Sequence, residues 1–193
     1  MCGMPYMTGY ARRRTPLFAV ILAAALAVAL TTGALGGCSS ATGPIAGGPL
    51  SSRQDGTLPH GANCAPGGEA QTFGTELFTN YGHAVVVLDR VALLHPRNER
   101  LAGSYAMPGD RLIGIEPWPP DYAGMPDAWK LRQPVRSFRL APGTSFNMVL
   151  GVTAAAPGQA SSQGMLVYYH DSAGHYVTTD HVAMIIAATG NGC

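Results

Sequence analysis

From residue 64 onward the hydrophobic positions come in short runs, broken roughly every 8–12 residues by Gly, Pro, Asn or Asp. No run keeps a helical period. Ala84 to Leu94 is the densest, with Val85, Val86, Val87, Leu88, Val91, Leu93 and Leu94. β-Branched side chains pack well on a pleated surface and crowd a helix, so this run predicts a strand. The polar pair Asp89-Arg90 interrupts it and predicts a bulge or a strand break, and Pro96 closes it because proline lacks a ladder donor. Further strands are predicted over Gln71 to Thr79, Leu101 to Met107, Arg111 to Ile115, Val135 to Leu140 and Ser145 to Val152. The clearest hairpin follows. Met165, Val167 and Tyr169 share one side, Asp171-Ser172-Ala173-Gly174 turns, and Tyr176 returns toward a final strand carrying Val182, Met184 and Ile186. The pattern predicts an all-β fold: an antiparallel β-sandwich with Greek-key connectivity.

Two stretches depart from this pattern. Glu116 to Pro134 holds Pro117, Pro119, Pro120, Pro126 and Pro134 together with Trp118, Tyr122 and Trp129, and predicts an irregular loop. Residues 38–63 hold many Gly, Pro and Ser and few large apolar side chains, and predict a flexible tether. About 130 residues remain for one domain, residues 64–193, enough for a single core.

At the start of the chain, Arg12-Arg13-Arg14 precedes an uncharged apolar run, Leu17 to Leu30, and then Leu35-Gly36-Gly37-Cys38. Basic, apolar and small residues in that order make a secretory signal. The run would make a helix of about 21 Å, short of the roughly 30 Å hydrocarbon core, although extension to Leu35 leaves a membrane span open. The boundary cysteine resembles that of a bacterial lipoprotein signal peptide. The resemblance implies removal of residues 1–37 and a lipid on Cys38, palmitate among its acyl chains. The chain would then be held on the outer side of the cell membrane, with membrane lipid as its first partner. Two acyl chains anchor stably where one does not.

Four segments carry a second resemblance: Leu77-Phe78-Thr79-Asn80-x-Gly82, Val85-Val86-Val87-x-x-x-Val91, Arg139-Leu140-x-Pro142-Gly143 and Phe146-Asn147-x-Val149-Leu150-Gly151. Together they resemble the Ig-like envelope domains of high-GC Gram-positive bacteria across most of residues 71–187. The resemblance implies an Ig-like fold and transfers no catalytic residue. Trp118-Pro119-Pro120 belongs to the same pattern and is expected to pack over a sheet edge.

Charge and cysteines narrow the function. From Cys38 onward nine Lys and Arg face eleven Asp and Glu, a balance of −2, which argues against nucleic acid as a partner. Cys2 lies in the signal, so Cys64 and Cys193 remain, one at each end of the domain. In an oxidising compartment they are expected to form a disulfide.

The sequence holds no Gly-x-Ser-x-Gly elbow, no His-Glu-x-x-His and no phosphate loop, so no enzyme activity, catalytic residue or cofactor is expected. Two binding features remain. Trp118, Tyr122 and Trp129 are a candidate platform for a glycan or an envelope protein, against the simpler expectation that the indoles cover the core edge. His170 and His175 flank the hairpin turn and are a candidate metal pair, with copper suggested by imidazole beside Met165 and Met184. Both methionines fall on the expected core face, and His181 lies about 20 Å further along an extended strand, so only the two histidines stay together. The reading is a lipid-anchored envelope module that binds or supports a partner. Metal handling is the alternative.

Overall fold

Alternation in the hairpin sets the frame. In β12 (Met165–His170) Met165, Val167 and Tyr169 are buried, while Leu166, Tyr168 and His170 face outward. The computed structural model describes residues 44–52, 61–120 and 126–193. The signal-like segment with Cys38, residues 53–60 and Tyr122 lie outside the described residues.

Two sheets make the sandwich. One runs β1 (Ile45–Ala46), β13 (His175–Asp180), β12, β5 (Val86–Leu93) and β9 (Arg139–Leu140) in spatial order. The other runs β2 (Leu50–Ser52), β4 (Gln71–Asn80), β10 (Ser145–Ala154), β6 (Glu99–Pro108) and β8 (Gln133–Pro134), with β7 (Gly114–Pro117) also on β4. Taking β2, β4, β5, β6, β10, β12 and β13 as strands A to G, the orders are A-B-E-D and G-F-C. That is the connectivity of an immunoglobulin-type sandwich. A small third sheet, β11 (Ala160–Ser162), β14 (Ala183–Ile186) and β3 (Ala62–Ala65), closes one side.

The inner faces meet in one apolar cluster: Val86, Leu88, Val167 and Tyr169 from the first sheet, and Phe73, Phe78, Phe146, Met148 and Leu150 from the second. Phe146 stacks on Phe78 at 5.5 Å between ring centroids and tilts against Phe138 at 5.2 Å. Such pairs add about 0.5–1.5 kcal/mol each beyond their buried area. Met165 and Met184 are both buried in this cluster, so neither thioether reaches the histidines at the hairpin.

Cys64 and Cys193 form a disulfide with Cα atoms 5.7 Å apart. Cys64 lies in β3, which pairs with the final strand β14 in parallel register, Ile185 opposite Cys64. The bridge closes a separation of 129 residues, and in a chain-entropy account such a loop contributes about 4–5 kcal/mol.

Four expectations are corrected. Residues 45–52, read as tether, form β1 on Tyr176 and Val177 and β2 on β4. Both are edge strands held through backbone groups. Leu50, the first residue of β2, is buried, and the Tyr169 hydroxyl accepts from Leu50 N at 3.1 Å and donates to the Gly47 carbonyl at 2.8 Å. The proline loop holds one short helix, α1 (Pro126–Lys130), because proline at the first helical position lacks only an N–H that had no partner there. Val135 to Leu140 is not a continuous strand: Ser137 at φ 74° separates β8 from β9. The final strand changes sheets after Asp180, whose carboxylate accepts from Val182 N and turns the chain out of β13 into β14.

Candidate functional site

The hairpin β12–β13 ends in a pair that its register dictates: His170 stands directly opposite His175, after Tyr169 opposite Tyr176. Both imidazoles lie on the outer face, with ring centroids 5.2 Å apart. The turn between them is fixed from within, since Ala173 N and Gly174 N both donate to Asp171 Oδ1 at 2.7 and 3.1 Å.

The third member of the cluster comes from β5. Leu88 pairs with Tyr169 and Arg90 with Tyr168, so Asp89 is the extra residue of a β-bulge. A bulge sends two successive side chains to one face. Leu88 therefore points into the core, while Asp89 and Arg90 both face outward. Arg90 lies over the Tyr168 ring at 3.5 Å, and Asp89 turns to the histidines. Its Oδ1 is 2.8 Å from His170 Nδ1 and its Oδ2 is 3.8 Å from His175 Nδ1. The three side chains offer ligand atoms that all lie within 4.8 Å of one another. Grooves open on both sides of Asp89: one of about 530 Å³ reaching Arg136 and His170, and one of about 480 Å³ reaching Pro44, His175 and Tyr176. The sequence marked Asp89-Arg90 as a bulge or a break, and the structure makes it a bulge. Where Asp89 points was not legible there, so sequence reasoning found two members of the cluster and missed the third.

The opposite outer face is covered. Trp118 lies across Gly103 and Gly151, where an added Cβ would fall inside the indole. It stacks on Tyr105 at 5.8 Å, and Trp129 meets the same ring edge-on at 5.5 Å. Arg132 sits over Trp129 at 4.5 Å. Beneath them Met107, Ile113 and Val149 are buried, making a second small core. Trp118 and Trp129, two members of the candidate platform, are packed against the sheet. They close the β4–β10–β6 face rather than offer it.

Between the sheets lies a buried carboxyl pair, Glu76 of β4 and Asp180 of β13. Burial first, and then the charge of Asp180, push Glu76 up to about 7. Thr75 Oγ1 donates to Glu76 at 3.0 Å, and Asn63 Nδ2 donates to Thr75. Neither carboxylate touches the hairpin cluster, and both are shielded from solvent, so this pair acts on stability. His95 bonds Gln163 at 2.8 Å at a turn and belongs to no cluster of ligand atoms among the described residues.

No family model matches the chain, and no curated protein matches it. Among solved structures it is similar to the Vibrio cholerae protease VesB, at 12% identity and a TM-score of 0.35, covering 72% of this chain and 32% of that one. It therefore spans about a third of the protease's length. It is also similar to the ASH / PapD-like domain of human CEP192, at 12% identity and a TM-score of 0.35, covering 75% of this chain and 87% of that one. Both are distant likenesses, and neither bears on chemistry.

Proposed function

We propose that the chain is a lipid-anchored envelope module of a high-GC Gram-positive bacterium, held outside the membrane, that binds a partner without a reaction of its own. The observation that carries the reading is the position of Cys38, which follows a lipoprotein-like signal and precedes β1 by seven positions. A disulfide between Cys64 and Cys193 is what an oxidising compartment favours. The chain enters the sandwich beside Tyr176, at the hairpin end. The covered tryptophan face leaves the outer face of β5, β12 and β13 as the surface for an envelope protein or glycan.

Mass spectrometry of the membrane fraction from an expressing actinobacterial host tests this. The expected product begins at a diacylated Cys38, and Cys38→Ser loses both the modification and the membrane association. An uncleaved, unmodified chain would overturn the reading. Metal handling, the alternative raised by the sequence, is favoured by one observation: Asp89 completes the histidine pair.

A further inference from the structure

We infer that Asp89, His170 and His175 form a binding site for a divalent transition ion of the Cu²⁺ or Zn²⁺ class. The inference deepens the metal-handling reading and does not rest on the lipid anchor. The donor set is two imidazole nitrogens and one carboxylate, which suits borderline ions and not the hard, oxygen-seeking Ca²⁺ or Mg²⁺. Three protein ligands with a fourth position open to solvent or a partner is a common arrangement for zinc.

The ligand atoms stand close enough to converge on one ion by side-chain rotation. Bonds of about 2.0–2.2 Å at a tetrahedral angle put ligand atoms about 3.3–3.5 Å apart. Asp89 Oδ1 and His170 Nδ1 stand at 2.8 Å, and Asp89 Oδ2 and His175 Nδ1 at 3.8 Å. The two contacts use different carboxylate oxygens, and one ligand atom from each residue lies within 4.8 Å of the others, so the set draws together by about 1 Å to share one ion. His175 is the most exposed of the three side chains, at 72%, and has the freedom to close the difference by rotation.

Three independent features place the ligands. Cross-strand register puts His170 opposite His175. The Asp171 carboxylate holds the turn that joins them. The bulge in β5 aims Asp89 at them from a neighbouring strand. A hairpin that merely carried two surface histidines would need no carboxylate delivered by a bulge. The grooves flanking Asp89 give an ion access from both sides and leave space for the open position. Bound this way, an ion would tie β5 to the hairpin tip and offer its free coordination site at the end of the sandwich where the chain enters.

The test is calorimetric titration of the full-length chain in detergent with Zn²⁺ and, separately, Cu²⁺, beside Mg²⁺ and Ca²⁺ controls. Binding of one transition ion per chain is expected, with neither control competing. Asp89→Asn, His170→Gln and His175→Gln should each weaken it on the order of tenfold or more, and the His170→Gln/His175→Gln double variant should abolish it. Copper electron paramagnetic resonance supplies a second readout, with hyperfine coupling to two imidazole nitrogens in the parent and one in each single histidine variant. Near-ultraviolet circular dichroism checks that the variants keep the native fold. An absence of saturable binding, or affinity unchanged in the double variant, would overturn the site. Cys38→Ser should bind as the parent does, which separates failure of the anchor from failure of the site.

Discussion

The two outer faces of the sandwich are built on the same alternation and end in opposite states. On β10 and β6 the outward positions are Gly151, Gly103, Val149, Tyr105 and Met107, and a proline-stiffened segment lays Trp118 and Trp129 over them. On β12, β13 and β5 the outward positions include Tyr168, His170, His175, Asp89 and Arg90, and among the described residues no segment crosses them as the tryptophans cross β10. The contrast separates packing from recognition. Glycines under an indole make a flat floor that only another side chain fills, whereas donors and charges on an open strand pair stay available to a ligand.

That comparison can be broken or sharpened by measurement, beginning with the interior the two faces share. Because Glu76 is lifted from 4.5 to about 7, the folded chain holds a proton there that the unfolded chain has already released. Stability should therefore fall as pH rises from about 4.5 to 7, by about 3 kcal/mol from this group. Urea unfolding across that range checks it, and Glu76→Gln should flatten the slope. Comparisons between the faces belong at one pH for this reason.

On the covered face, Trp118→Ala should cost about 2–3 kcal/mol, below the range of about 3–5 for a fully buried tryptophan because this side chain is only partly buried. Gly151→Ala should cost about 1–3 kcal/mol by pushing the same ring off the sheet, read in urea midpoint and tryptophan emission together. If both variants unfold at the parent midpoint, the cover is not structural. On the open face, Asp89→Asn should change stability by less than about 1 kcal/mol, as partly exposed ion pairs usually do. A loss of several kcal/mol there would mean that the cluster is a structural brace.

How far these features could be read from the chain depended on how local their causes are. The hairpin was legible because Met165, Val167 and Tyr169 alternate with outward residues, and burial follows that alternation residue by residue. The disulfide was legible by elimination among four cysteines. Strands β1 and β2 were not, since Ile45, Ala46 and Leu50 show no period of their own. Leu50 is held by a tyrosine 119 positions away. The break after Asp180 was hidden for a related reason: Val182, Met184 and Ile186 continue the apolar alternation while a side-chain bond moves the chain to another sheet. At the site, His170 and His175 were paired by the turn between them. Asp89 sits 81 residues before His170, and only strand pairing brings it there.

The most direct measurement is a nuclear magnetic resonance titration of the full-length chain in detergent with Zn²⁺, following backbone amides and the two indole N–H groups. Saturable shifts at residues 87–90 and 168–177, with the indoles of Trp118 and Trp129 unmoved, are the predicted result. Shifts centred on the tryptophans, or none that saturate, would contradict the division between a closed face and an open one.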